Sequence, residues 1–259
     1  MTDYLSEIFK LDGKVAAVTG GGGHLCGEMA RALARAGVAV AVLDLRLEKA
    51  EAVADEIREA GGTALGLAID VTEKAQHEEC LAVILDEFGK LDILINGAGI
   101  NAPTPFMEIP VDEWRSIIDS HITGTMLASQ VFGAHMLERR QGSVINMSSA
   151  SAGPPLSKAF TYSVAKAGIK NLTQNLAREW APMNVRVNAL RPGFFPTEWS
   201  MKHFIDPDRE KAILGHTAMG RYGTSDELTG AVLWLASEAA GFVTGAEIAI
   251  DGGFSCMTI

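Results

Sequence analysis

Seven short apolar, β-rich runs alternating with helix-like segments restrict this chain more than any other feature. They lie at Lys14–Val18, Val38–Leu43, Ala64–Ile69, Asp92–Ile95, Ser143–Met147, Val185–Leu190 and Ala246–Ile250. Several are apolar almost throughout, as strands covered on both faces must be. Between the second and third, Glu48–Ala60 places Ala50, Val53, Ala54 and Ile57 at helical spacing and stops at Gly61-Gly62. Strand, helix and strand in repetition predict an α/β fold of Rossmann type: a doubly wound parallel sheet of about seven strands, helices on both faces, three layers. No linker or repeat interrupts the pattern, so residues 1–259 are expected to form one domain. The one long interruption, Arg191–Thr224, is rich in Pro, Gly and aromatics. A segment of that length is expected to supply a substrate lid, approximately residues 194–224; the competing expectation is a surface excursion that packs or oligomerises.

Charge narrows the function classes. Lys+Arg number 22 against 32 Asp+Glu, a net charge of −10, which argues against nucleic-acid or anionic-membrane partners. A hydrophobic share of 47% with 21% charged residues suits a large core rather than disorder. The N-terminus carries acids and no apolar stretch with a small-residue cleavage site, and runs such as Val38–Leu43 fall far short of the ~20 residues that cross a bilayer. A cytoplasmic protein is expected. Three cysteines, Cys26, Cys80 and Cys256, form no CxxC or Cys/His cluster, so a reduced compartment and no metal site are expected.

The first strand runs into Thr19-Gly20-Gly21-Gly22-Gly23-His24-Leu25-Cys26-Gly27, and a helix-like Glu28–Ala36 follows. Glycines at such a turn let backbone N–H groups approach a pyrophosphate seated on the positive end of the helix. Gly20, Gly22, Gly23, His24 and Leu25 are the candidate contacts. Asp44 closes the second strand, where a carboxylate accepts hydrogen bonds from an adenosine ribose and repels a 2′-phosphate. NAD is therefore favoured over NADP. The alternatives are that Asp44 caps the next helix, and that neighbouring Arg46 leaves room for NADP. Cys26, with no partner cysteine, reads as a small packing residue.

Further along, Tyr162 and Lys166 stand at i and i+4, one above the other on a helix face. A lysine there stabilises phenolate and brings proton exchange nearer neutral pH. Ser149, just past the fifth strand, is placed to hydrogen-bond the same substrate oxygen.

With these pieces assembled, the chain resembles the short-chain dehydrogenase/reductase family from end to end, including segments similar to its mannonate oxidoreductase-like branch. The resemblance implies hydride exchange between a secondary alcohol and C4 of NAD, with Tyr162 exchanging the hydroxyl proton and Lys166 also holding the nicotinamide ribose. It assigns Asp70-Val71 to the adenine, and Asn96, Ala98 and Gly99 of Asn96-Gly97-Ala98-Gly99 to the family's NNAG segment, with Gly97 replacing the second Asn. It assigns Pro192, Gly193, Phe195 and Thr197 to the nicotinamide end. The family's turn reads TGxxxGxG, so His24 and Cys26 stand where glycines are usual. His121 stands where the family has a fourth catalytic residue, an asparagine. It either relays protons or packs as a satisfied helix histidine. The resemblance also extends to the tail, Gly245 through Asp251-Gly252-Gly253, and implies a homotetramer packed through the final strand.

Ser151–Thr161, Asn101–Phe106 and Phe194–Thr217 are expected to face the substrate, with Asn101, Ser151, Trp199 and His203 as candidate contacts. The basic, hydrogen-bonding lid suits a small polar substrate, and the branch resemblance points to a sugar acid or a related sugar or polyol. Two other classes compete: a 3-oxoacyl-type or other carbonyl reductase, and a non-catalytic nucleotide-binding or scaffold protein on the same fold.

Overall fold

The computed structural model describes residues 4–154 and 156–258, with backbone only at 198 and 199. Its strands are β1 (Val15–Thr19), β2 (Ala39–Asp44), β3 (Ala64–Ala68), β4 (Ile93–Asn96), β5 (Gly142–Met147), β6 (Val185–Pro192) and β7 (Glu247–Ile250). The helices are α1 (Tyr4–Ile8), α2 (His24–Arg35), α3 (Leu47–Glu59), α4 (Lys74–Phe88), α5 (Val111–Ile118), α6 (Gly124–Arg139), α7 (Phe160–Trp180), α8 (Glu198–Phe204), α9 (Pro207–Gly215) and α10 (Thr229–Ala236). All strands pair in parallel in the order β3-β2-β1-β4-β5-β6-β7. The order reverses between β1 and β4, and ligands of such sheets lie beyond the strand C-termini at that switch.

The pleat explains why the central strands read as continuous apolar runs. Ala16 and Val18 face a layer containing Met29 and Leu33 of α2 with Val232 and Leu235 of α10. Val15 and Ala17 face the opposite layer, with Ile84 of α4, Phe132 and Met136 of α6, and Trp180 of α7. Each fully buried Leu, Ile or Phe in these layers stabilises the fold by about 1.5–3 kcal/mol relative to exposure.

Several strands begin one residue later than the sequence suggests. Asp92, placed in the fourth strand by pattern, lies just before β4, and its buried carboxylate accepts from Val15 N (3.0 Å) and pairs with Arg139 (3.0 Å) and Lys90 (3.2 Å). It thereby ties the entries of β1 and β4 to the end of α6. The long segment after β6 contains two helices, α8 and α9. No helix among the described residues is long and apolar enough to cross a membrane.

Candidate active site

The strand C-termini open into a cleft of about 840 Å³. Its phosphate end is shaped by the glycine turn. Gly20 has φ +68°, and a Cβ there would come within 2.9 Å of the Ala98 backbone, so the β1 and β4 turns touch directly. The turn satisfies its own amides: Gly21 N donates to Leu43 O (2.9 Å), Gly22 N to Asp44 Oδ2 (3.2 Å) and Gly23 N to Gly20 O (2.9 Å). Gly22, a predicted contact, is therefore withdrawn from the cleft. His24, Leu25 and Cys26 line the cleft instead, and as first-turn residues of α2 their amides have no intrahelical acceptor. Gly23 caps that helix without a side chain in the way.

Asp44 lines the cleft and also builds the turn, because Oδ1 accepts from Arg46 N (3.1 Å) at the entry to α3. Arg46, not Asp44, stands at the N-cap of α3, and no side chain caps that helix, so the capping alternative does not hold. Asp70 and Val71 line the next stretch, where Asp70 Oδ1 accepts from Thr72 N (2.9 Å) and Oγ1 (2.7 Å). Ala98 and Gly99 line the cleft, but Asn96 does not. It is 4% exposed and donates through Nδ2 to Asn146 Oδ1 (2.8 Å), whose own amide donates to Thr173 on α7 (2.9 Å). The Asn96 expectation is corrected accordingly: it is a buried link between β4, β5 and α7. At the far end Pro192, Gly193, Phe195 and Thr197 line the cleft as expected. Thr197 additionally caps α8, accepting from Ser200 N (3.1 Å).

Ser149, Tyr162, Lys166 and His121 converge on one wall. Lys166 is 4% exposed and donates to Met147 O (2.5 Å), with Nζ 5.4 Å from the centre of the Tyr162 ring. Burial pushes its ammonium down to about 8. Tyr162 departs from the sequence expectation. Its hydroxyl lies deep in the cleft, where desolvation raises the phenol above its ordinary value, and a hydrogen bond with Ser149 pulls the other way. Lys166 directs a proton at the Met147 carbonyl.

His121 sits in a π-helical turn, Asp119–Thr123, between α5 and α6. Its Nε2 lies 2.9 Å from Ile100 O, and its ring meets Tyr162 edge-on with centroids 5.2 Å apart. A Cβ on Gly99 would fall on the imidazole, so the ring takes the space glycine leaves. Nδ1 is buried without a partner. Burial, then nearby Lys166, push the imidazole down to about 3. A ring so sealed suits holding Tyr162 better than relaying protons. His121→Asn is expected to leave turnover above pH 6 within about threefold of the parent, with an unshifted pH profile. Its effect is expected on acid unfolding. An unfolded histidine titrates near ~6.5, so stability present above that pH is lost as pH falls toward 3, and the variant unfolds at lower pH than the parent. Circular dichroism across pH 3–7 reads this.

The substrate-side expectations fare less well. Ser151 is 2% exposed with its amide on Ser149 Oγ (3.2 Å), and Asn101 and His203 also lie outside the cleft lining. The Trp199 side chain falls outside the described residues. Of the basic lid residues, Arg209 donates to Phe204 O (2.8 Å) and Ser157 O (2.6 Å), and His216 packs on Phe254 with centroids 4.8 Å apart. Ser120, Ser148, Ser200 and Ile100 line the cleft although sequence reasoning did not single them out. Each lies within a few residues of a predicted site residue, which is the only signal they gave.

A family profile described as enoyl-(acyl carrier protein) reductase matches residues 25–255. The uncharacterized oxidoreductase UxuB of Bacillus subtilis is 42% identical, covering 94% of this chain and 95% of that protein. The D-threitol dehydrogenase of Mycolicibacterium smegmatis is 36% identical over 95% of each. Among solved structures, a Burkholderia cenocepacia gluconate 5-dehydrogenase in complex with NADP and tartrate has a TM-score of 0.94 at 32% identity, covering 98% of this chain and 100% of that one. A Haemophilus influenzae candidate D-mannonate oxidoreductase with bound NAD has a TM-score of 0.91 at 36% identity, covering 96% and 97%. Fold and site together define a Rossmann-type oxidoreductase that uses a nicotinamide dinucleotide and acts on CH–OH groups. The chain belongs to the short-chain dehydrogenase/reductase family.

Proposed function

We propose that this protein interconverts a secondary alcohol and a ketone on a small polyhydroxylated substrate, a sugar acid or a related sugar or polyol, with NAD as the preferred cofactor. The observation that carries the reading is the convergence of Ser149, Tyr162 and Lys166 on the cleft that the uncapped N-terminus of α2 also faces. Bound NAD supplies the hydride acceptor at C4 of its nicotinamide. The chain's own residues do the rest. His24, Leu25 and Cys26 hold the pyrophosphate on their amides, and Asp44 takes the adenosine ribose. Ser149 orients the reacting hydroxyl, Tyr162 accepts its proton, and Lys166 holds the nicotinamide ribose and stabilises the phenolate. His121 braces the Tyr162 ring. Residues 1–259 act as one domain, with α8 and α9 forming the substrate lid. The polyol and sugar-acid chemistry of relatives such as the D-threitol dehydrogenase and the Escherichia coli 5-keto-D-gluconate 5-reductase supports the substrate class.

The test is turnover of paired polyols and sugar acids, among them threitol, galactitol, gluconate and mannonate, with NAD and with NADP. Oxidation of at least one of them with NAD is expected, and no turnover across the panel overturns the reading. For the cofactor, fluorescence titration is expected to give tighter NADH than NADPH binding. Asp44→Ser is expected to narrow that gap by about tenfold, because it removes the charge that repels a 2′-phosphate. Equal affinities in the parent would remove Asp44 from its role.

A further inference from the structure

Behind the catalytic wall lies a charged cluster that the reaction scheme does not use. Glu247, on the edge strand β7, has a side chain only 11% exposed. Its Oε1 accepts from Ser148 Oγ (2.7 Å), and its Oε2 pairs with Lys170 Nζ (3.3 Å) and Arg191 Nη1 (3.2 Å). Arg191 continues the cluster by donating through Nη2 to Ser255 Oγ (2.9 Å), and Ser255 in turn bonds Asp251 Oδ2. Asp251 closes the turn against which Gly193 rests, where a Cβ would come within 2.7 Å of Asp251 Cα.

We propose that Glu247 is a positioning residue for the oxidoreductase reaction, its carboxylate holding the Ser148-Ser149 loop, α7 and the C-terminal end of β6 in one fixed arrangement. Each of its partners sits beside a residue of the site. Ser148 precedes Ser149, and its own N–H donates to Leu190 O (2.8 Å), so tethering its hydroxyl fixes the loop at both ends. Lys170 lies one turn beyond Lys166 on α7. Arg191 precedes Pro192 and Gly193. Lys170 and Arg191 keep their charged ends partly in solvent, so these pairs add little net stability. The carboxylate therefore acts through the geometry it imposes where these three elements come together.

This inference rests on the catalytic reading of Ser149 and Tyr162, and the experiment separates the two. Ser148→Ala removes the hydroxyl that forms the tether. It is expected to lower kcat about tenfold on the fastest substrate of the panel, because small displacements of a catalytic group are costly. A second readout needs no turnover. Ultraviolet difference titration of the NAD-bound protein, parent minus Tyr162→Phe, follows the phenol directly. Ser149 favours that ionisation, so displacing it is expected to move the titration to higher pH. Lys166, His121 and Cys26, which also face Tyr162, are untouched by the variant. Glu247→Gln is expected to match Ser148→Ala in kcat, and the double variant to be no worse than the poorer single one. Ser148→Ala with parental kcat and an unmoved phenol titration overturns the proposal, even where Glu247→Gln fails to fold. Additive losses overturn it as well. Activity retained by Tyr162→Phe would instead unseat the catalytic reading itself.

Discussion

Tyr162→Phe is expected to lower kcat by about 10³-fold, within the range typical of losing a positioned acid or base, while NADH affinity stays at the parental value. The substitution removes one oxygen and keeps the ring. The edge contact with His121 and the placement of Lys166 over the ring survive, as does the bond from Lys166 to Met147 O. What is lost is the atom proposed to exchange the substrate proton. The pH dependence of the parent follows from the same geometry. Burial raises the phenol, so oxidation, which needs the phenolate, is expected to quicken as pH rises, and reduction, which needs the phenol, to slow. Lys166, pushed down to about 8, loses its charge before the raised phenol ionises, which caps the gain at alkaline pH. A Phe variant with parental kcat and the same profile would place the proton transfer elsewhere.

The parts of this architecture that sequence discloses are those set by burial on both faces. Ala16–Val18 and Ile93–Ile95 are almost wholly apolar because each alternate residue meets a different helical layer, and that pattern survives any uncertainty about partners. Strand ends are less legible. Asp92 reads as strand because it adjoins one, but its carboxylate serves the β1 entry and Arg139. Of the site, Tyr162, Lys166 and Ser149 are legible because helical spacing and a strand terminus fix where they point. Asn96 is not. Its register partner across the sheet is Asn146, and its amide nitrogen donates to Asn146 Oδ1 inside the protein rather than facing the cleft. The substrate side fails for a similar reason, since Ser151 turns inward at a strand exit, and Arg209 fastens α9 to Ser157. Side-chain direction at loop positions is decided by tertiary contacts that no periodicity records.

Gly97→Asn, which installs the family's usual residue, is expected to weaken NAD binding by about 30-fold, or ~2 kcal/mol, and pairing it with Cys26→Gly is expected to recover most of that loss. The two positions look like separate departures in the sequence. In space they are one. A Cβ at 97 would overlap Cys26 Sγ and lie 3.0 Å from Thr19 O, so the thiol occupies the room that a side chain at 97 would need. Neither neighbour yields easily. Cys26 sits in the first turn of α2, 6% exposed, and Gly97 N is held on Thr19 Oγ1 (3.1 Å). Forcing both side chains into this space pushes the β4 turn away from α2, which is where the first-turn amides meet the cleft. Burial also keeps the thiol up at about 11, so it acts here as volume rather than as a nucleophile. Cys26→Gly alone is expected to cost about 1 kcal/mol of stability through helix propensity and the space vacated. NADH fluorescence titration of the two single variants and the double, read as a cycle, measures the coupling. Additive affinities would mean that the sulfur and the glycine do not share one space.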